Sequence, residues 1–250
     1  MEVLRAIYGC LESALLWYQL YSSTLQKMGF KLNDYDMCVA NKIIEGSQCT
    51  VAFYVDDNKI SHKNPKVVDS IIQALEKEFG NITYSRGKEH DYLGMDVTYN
   101  DDRTVSIRMK KQIEEAIEWY GDTIPPRSTT PATKKLFIVN EDSKELNEKT
   151  AEVFHSVVAK LLYISKRARP DIEPTIAYLC TRVSEPNEGD WKKLQRVLSF
   201  LQGTIDDYRI MGASKLNSIV TWVDAAYAVH KNMRSQTGGA MSFGLGLVHG

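Results

Sequence analysis

Residues 52 to 60 read AFYVDDNKI, and they place two carboxylates, Asp56 and Asp57, side by side after an apolar run. Adjacent like charges beside a core strand are costly unless something uses them. Hard cations do. Mg²⁺ takes carboxylate oxygens and commonly relies on one or two carboxylates plus substrate phosphates. A pair of such ions can activate an attacking oxygen and stabilise a leaving one, which is the chemistry of nucleotidyl transfer. Along a strand, successive side chains face opposite ways, so the two acids can share a site only if the chain turns there. The following Asn58 favours a turn. The plainer alternative is a solvated turn, since Asp is itself a favoured turn residue. The apolar VAFYV before the pair places the acids beside a core, not at a loose loop tip.

The elements around the pair are legible. Leu4, Tyr8, Leu11, Leu15 and Tyr18 form a helical stripe, extended by Leu25 and Met28, and Gly29 is a plausible stop. Gly9 lies inside that pattern, where a glycine marks a helix start or a close approach. MCVANKII (37–44) and CTVAFYV (49–55) flank the polar EGSQ and predict an antiparallel hairpin. Residues 66–79 predict an amphipathic helix on Val67, Ile71, Leu75 and Phe79. Residues 91–99 and 104–109 predict two strands, and 110–120 a short helix. TIPPRSTTPATKK (123–135) is the best linker in the chain. Beyond it come helical patterns at 148–167, 171–183 and 189–202, then strand patterns in SIVTWVDAAYA and TGGAMSFGLG. One hairpin does not make a stable domain, so the chain is expected to stop inside an element it does not complete.

Bulk properties restrict the alternatives. The chain has 250 residues, 43% hydrophobic and 25% charged, with a formal net charge of -1. That is a globular composition without the global basic charge of many nucleic-acid binders, so such binding would rest on local patches. No apolar run is long enough to span a membrane, and the start MEVLRAIYGC is not a signal peptide; an intracellular protein is expected. Cys10, Cys38, Cys49 and Cys180 make no metal-binding pairs, and the five histidines show no ligand spacing. Core packing is the default for Trp17, Trp119, Trp191 and Trp222. RMKK (108–111) and KRAR (166–169) could meet phosphates, but a solvated helix face is the simpler account. In KRAR, Arg169-Pro170-Asp171 reads as a helix opening.

Several blocks together resemble one family. Tyr54-Val55-Asp56-Asp57 matches the YxDD signature of reverse transcriptases. LRAIYGCLESALLWY (4–18), MGFKLNDYDMCVA (28–40), DYLGMDV (91–97), STTPATKKL (128–136), the long block 161–204 and WVDAAYAVHKNMRSQTGGAMSFG (222–244) resemble, in order, the conserved segments of copia-type LTR retrotransposon polymerases. The resemblance implies an α+β chain: a truncated polymerase palm with an antiparallel sheet and helices over 1–122, a helical thumb and connection region over 123–215, and an incomplete ribonuclease H-like hairpin over 216–250. It implies that Asp56 and Asp57 hold the metal, that Tyr54 lies near the primer end, and that Gly9 lies against nucleotide and template. It places Leu93 and Gly94 in the primer grip and makes Asp224 the first ribonuclease H metal carboxylate. The implied cofactor is Mg²⁺, with Mn²⁺ as a substitute. The implied partners are an RNA or DNA template with primer and deoxynucleotides, in a cytoplasmic particle or the nucleus, and no membrane.

Departures from the pattern carry their own expectation. The family's first palm carboxylate lies upstream of the segment at which this chain begins. Leu11, Glu12, Ala14 and Leu15 stand where the family has Lys, Gln, Pro and Arg, which weakens phosphate contact there. An RNA-directed DNA polymerase that is inactive as the isolated chain is therefore expected. The alternative is a non-catalytic nucleic-acid-binding remnant of a decayed element.

Overall fold

In a computed structural model, the structure describes residues 10–140, 142–230 and 232–249. The chain divides into two compact units, Met1–Ser85 and Arg86–Gly250. Gly9, Leu4 and Tyr8 lie outside the described residues.

The first unit packs two helices on one face of a four-stranded antiparallel sheet. Helix α1 (Leu11–Lys27) leads into β1 (Lys31–Leu32), β2 (Val39–Ile44), β3 (Ser47–Tyr54) and β4 (Asp57–Ser61), in that spatial order, followed by α2 (Pro65–Phe79). The predicted hairpin is β2–β3, but its loop is only Glu45-Gly46, both at positive φ, so Ser47 and Gln48 belong to the strand. Helix α2 begins where the Asn64 side chain caps the Lys66 amide and Pro65 supplies a pre-set φ. It buries Val67, Ile71, Ile72 and Leu75. Alternation in β3 turns Cys49, Val51 and Phe53 inward to meet Tyr21 and Leu25 of α1. Tyr21 lies 5.0 Å from the Phe53 ring and Trp17 5.3 Å from Phe79.

The buried face of α1 is not the whole predicted stripe. Leu15 is 55% exposed, and Leu16 and Leu20 are also exposed. Leu15 lies six positions before Tyr21 and ten before Leu25, so at about 100° per residue it points roughly 120° from the first and roughly 80° from the second.

The second unit is built on a five-stranded antiparallel sheet and a helical layer. Strands β5 (Glu89–Tyr92), β6 (Met95–Tyr99) and β7 (Val105–Arg108) precede α3 (Lys110–Tyr120), α4 (Glu148–Arg167), α5 (Glu173–Cys180) and α6 (Glu188–Gly203). Then follow β8 (Arg209–Ala213), β9 (Val220–Ala226), β10 (Gln236–Ser242) and β11 (Gly244–Leu245). The sheet order is β11-β8-β7-β6-β5, while β9 and β10 pair separately. The predicted strand 91–99 is two strands, because Leu93-Gly94 turns the chain back. Phe154, Val157, Leu161, Ile164, Ile176, Leu194, Val197 and Leu198 form the helical core.

The buried guanidinium groups of Arg169 and Arg209 are hydrogen-bonded. The Arg169 guanidinium, 2% exposed, grips Asp171 at 2.7 Å and donates to the Thr204 carbonyl at 3.0 Å, so the end of KRAR is structural as the sequence indicated. Arg209 donates to the carbonyls of Lys166 and Arg167 at the end of α4 and to that of Leu247. The segment expected as a linker is instead a strap along α6. Ser128 donates its amide to Ser199 Oγ, which donates to the Pro126 carbonyl, and Gln195 donates to the Thr123 carbonyl.

Two tryptophans depart from the core-packing expectation. Trp222 is 54% exposed, and its β9 neighbours Val220 and Val223 are exposed too. Trp119 is exposed, with the Lys160 ammonium 4.2 Å from its ring centre. Among the described residues no helix is long and apolar enough to cross a membrane, and all four cysteines are free thiols.

Candidate functional site

The two carboxylates sit at the tip of the β3–β4 hairpin. Tyr54 and Asp57 form its last cross-strand pair, leaving Val55 and Asp56 as a two-residue loop. Val55 takes φ 54, whereas Asp56 stays on the negative side. That is the pattern of a II′ hairpin turn, whose first loop position favours glycine. A β-branched residue there is strained, at a cost of about 1–2 kcal/mol. The turn is held from two sides. The Asn58 side-chain amide donates to the Asp56 carbonyl at 2.9 Å, and the Trp17 indole N–H donates to the Val55 carbonyl at 2.5 Å. The tip is therefore anchored to α1.

Asp56, Asp57 and Tyr54 are all exposed. Asp57 lies opposite Tyr54, on the sheet face away from Phe53 and the helices. That face is polar. Asn41 accepts hydrogen bonds from Thr50 at 2.7 Å and Gln48 at 3.0 Å, and Lys59 lies opposite Ala52. The turn at 55–56 frees the two acids from strict strand alternation, but both are exposed at the hairpin tip and not beside the core as the apolar VAFYV run predicts, because Phe53 is the last inward residue before the turn. Two adjacent exposed carboxylates suit one hard cation completed by water or phosphate oxygens. Among the described residues no third His, Cys, Asp or Glu joins them in a metal-binding group.

The other expected site residues fall elsewhere. Leu93 and Gly94, in the second unit, are the loop of the β5–β6 hairpin at φ 53 and 70, a I′ turn. The Tyr163 hydroxyl donates to the Leu93 carbonyl at 2.6 Å, and a Cβ on Gly94 would stand 2.7 Å from Gln112 Nε2. So α3 and α4 both brace this turn. Asp224 lies exposed on β9, its carboxylate accepting from the Ala225 amide at 2.8 Å. It lines a cleft of about 760 Å³ shared with Lys166, Glu173 and His249. Of the basic runs, Lys110 pairs with Asp206 at 2.9 Å and Arg108 stacks on Tyr208 at 4.7 Å.

Sequence reasoning missed the roles of Trp17 and Tyr163. Each braces a turn through a carbonyl far away in sequence, and no local spacing announces such a bond.

The first unit thus carries Tyr54-Val55-Asp56-Asp57 on a hairpin of a small antiparallel sheet backed by helices. Residues 1–134 match the family described as reverse transcriptase (RNA-dependent DNA polymerase). The chain belongs to that family. It is 23% identical over 238 residues to a transposon Ty5-1 protein of Saccharomyces cerevisiae, covering 95% of this chain and 76% of that protein. It is 24% identical over 251 residues to the transposon Ty1-MR1 Gag-Pol polyprotein of the same yeast, covering 94% of this chain but 14% of the polyprotein. The truncated transposon Ty1-A Gag-Pol polyprotein is 23% identical, with 21% of its length covered. These relatives support the copia-type retrotransposon resemblance read from the sequence. No solved structure matches the chain.

Proposed function

We propose that this chain carries the palm of a copia-type RNA-directed DNA polymerase from its first helix to the β3–β4 hairpin and beyond, with boundaries near 1–122. Residues 123–215 are then the thumb and connection, and 216–250 the opening of a ribonuclease H-like domain with Asp224 as its first metal carboxylate. The observation that carries this reading is the anchored YVDD turn within a chain matched by the reverse transcriptase family.

In the reaction, a primer 3′-hydroxyl attacks the α-phosphate of a deoxynucleotide and pyrophosphate leaves. Asp56 and Asp57 would hold Mg²⁺, which supplies Lewis-acid activation of the hydroxyl and charge neutralisation at the phosphates. Trp17 holds the turn, Asn58 fixes the Asp56 backbone, and exposed Tyr54 offers a ring beside the acids against which a sugar or base can pack. Leu93-Gly94 presents a braced backbone turn suited to gripping a primer strand.

A second reading has a specific observation behind it. With no third carboxylate beside Asp56 and Asp57 among the described residues, the donor set is short for two ions. The chain then binds primer–template without extending it. Extension of oligo(dT) on poly(rA) with Mg²⁺ tests whether the chain alone is catalytic. Little or no incorporation is expected from the chain alone, and robust incorporation that depends on Asp56 would overturn the inactive reading. Salt-dependent duplex binding that survives Asp56→Asn and Asp57→Asn supports the binding role, and absence of binding at low salt removes it.

A further inference from the structure

A small cavity in the second unit has three cations among its lining residues. It has a volume of about 150 Å³ and lies between α6 and the strap, with Lys192, Lys193 and Arg196 on one side and Pro131, Thr133 and Thr175 among its other walls. Lys192 and Arg196 are four apart on α6 and so share a helix face.

The three cations are not equivalent. Lys193 is already engaged: its ammonium donates to the Ile138 carbonyl and to the Tyr178 hydroxyl, both at 2.8 Å, and lies 3.6 Å from Asp190. Asp190 is also held by Arg182 at 3.0 Å, so its negative charge is spent. Among the described residues Arg196 has a neutral partner, the Thr130 hydroxyl at 2.9 Å. Its Nε is buried without an acceptor among the described residues. No carboxylate there pairs with Arg196 or with exposed Lys192.

Cations that line a cavity without a carboxylate partner favour an incoming anionic oxygen. The planar guanidinium suits an oxyanion with several acceptor oxygens, and an ammonium one turn away suits a second oxygen of the same group. The cavity has room for one such group and not for a whole nucleotide.

We propose that this α6 pocket binds a single phosphate group, with Arg196 and Lys192 donating to its oxygens and Lys193 contributing fixed positive charge. The phosphate binding stands on the pocket alone. Its source as a nucleic-acid backbone phosphodiester, not free phosphate, rests on the reverse transcriptase reading.

The test uses the full chain with Lys192→Gln and Arg196→Gln. In one arm, anisotropy of a labelled RNA–DNA hybrid is followed against NaCl concentration. Each substitution is expected to weaken binding at every salt concentration and to lower the salt slope by about one. In the other arm, melting is followed in inorganic phosphate against chloride at equal ionic strength. A saturable rise in Tm is expected for the unaltered chain and a smaller one for both variants. Weakened hybrid binding assigns a backbone phosphodiester. A change confined to the phosphate arm assigns free phosphate. If both variants match the unaltered chain in both arms, the proposal is overturned. Should Arg196→Gln fail to fold by circular dichroism, exposed and unpaired Lys192 carries the test alone. The phosphate arm contains no nucleic acid, so failure of the polymerase reading is not mistaken for failure here.

Discussion

Trp17 and Val55 are 38 residues apart, and the indole N–H of one donates to the backbone carbonyl of the other at 2.5 Å. The bond joins helix α1 to the turn that presents Asp56, at a loop residue held in a left-handed conformation. Trp17→Phe keeps a ring against Tyr21 and Phe79 and removes the donor. The expected cost is about 0.5–1.5 kcal/mol, typical of one hydrogen bond. Amide exchange at 54–57 should accelerate more than exchange elsewhere in the sheet, which NMR hydrogen exchange reads directly.

Val55 itself is a source of strain. Val55→Gly relieves about 1–2 kcal/mol of left-handed cost and returns about 0.5–1 through unfolded-state entropy. A net gain of about 0.5–1 kcal/mol is expected, seen as a higher urea midpoint at unchanged m. A lower midpoint would mean that the exposed valine side chain contributes more than its backbone costs.

Both turns show how far the sequence could be read. The alternation of Cys49, Val51 and Phe53 and the spacing of Val67, Ile71 and Leu75 were visible because burial on one face leaves a periodic trace. The turn at Leu93-Gly94 was not, because leucine is an unusual residue at positive φ; only the brace from Tyr163, 70 residues away, makes it intelligible. The strap at 123–135 read as a linker because prolines and threonines are common to both. What fixes it is Ser199 and Gln195 on a helix distant in sequence. Strand β8 left almost no trace, since RIMGA is short and takes its place by pairing with β7. At the candidate site, residue types and order were legible, while the anchoring of the tip by Trp17 was not.

Tyr21 gives a pH signature in the first unit. Burial pushes its phenol up from 10.0 to about 12, and its hydroxyl is buried with no partner among the described residues. The folded state therefore favours the neutral form. Tyr21 contributes no pH dependence below pH 10.0, and stability falls as pH rises from there through about 12. Tyr21→Phe should remove that part of the alkaline loss. It should also be neutral or stabilising by about 1 kcal/mol at pH 7, because an unsatisfied buried hydroxyl disappears. Denaturant titrations at pH 7, 10 and 11 compare the two chains.

Arg169 should be among the most sensitive positions in the second unit. Arg169→Met removes the side-chain donor to the Thr204 carbonyl, which keeps the Asp207 amide, and removes the two-pronged hold on Asp171. A loss of about 2–3 kcal/mol is expected, the range for hydrogen bonds to charged groups. Arg169→Lys should recover little, since an ammonium cannot reproduce the fork. Thermal unfolding monitored by circular dichroism measures both.

The cation seat at Asp56 and Asp57 is best tested by adding Mn²⁺ to the ¹⁵N-labelled chain and following amide line broadening. Broadening centred on residues 54–58, reversed by excess Mg²⁺ and abolished by the combined Asp56→Asn and Asp57→Asn substitutions, is the expected result. Unbroadened amides at that hairpin while others broaden, or broadening there that persists without either carboxylate, would contradict it.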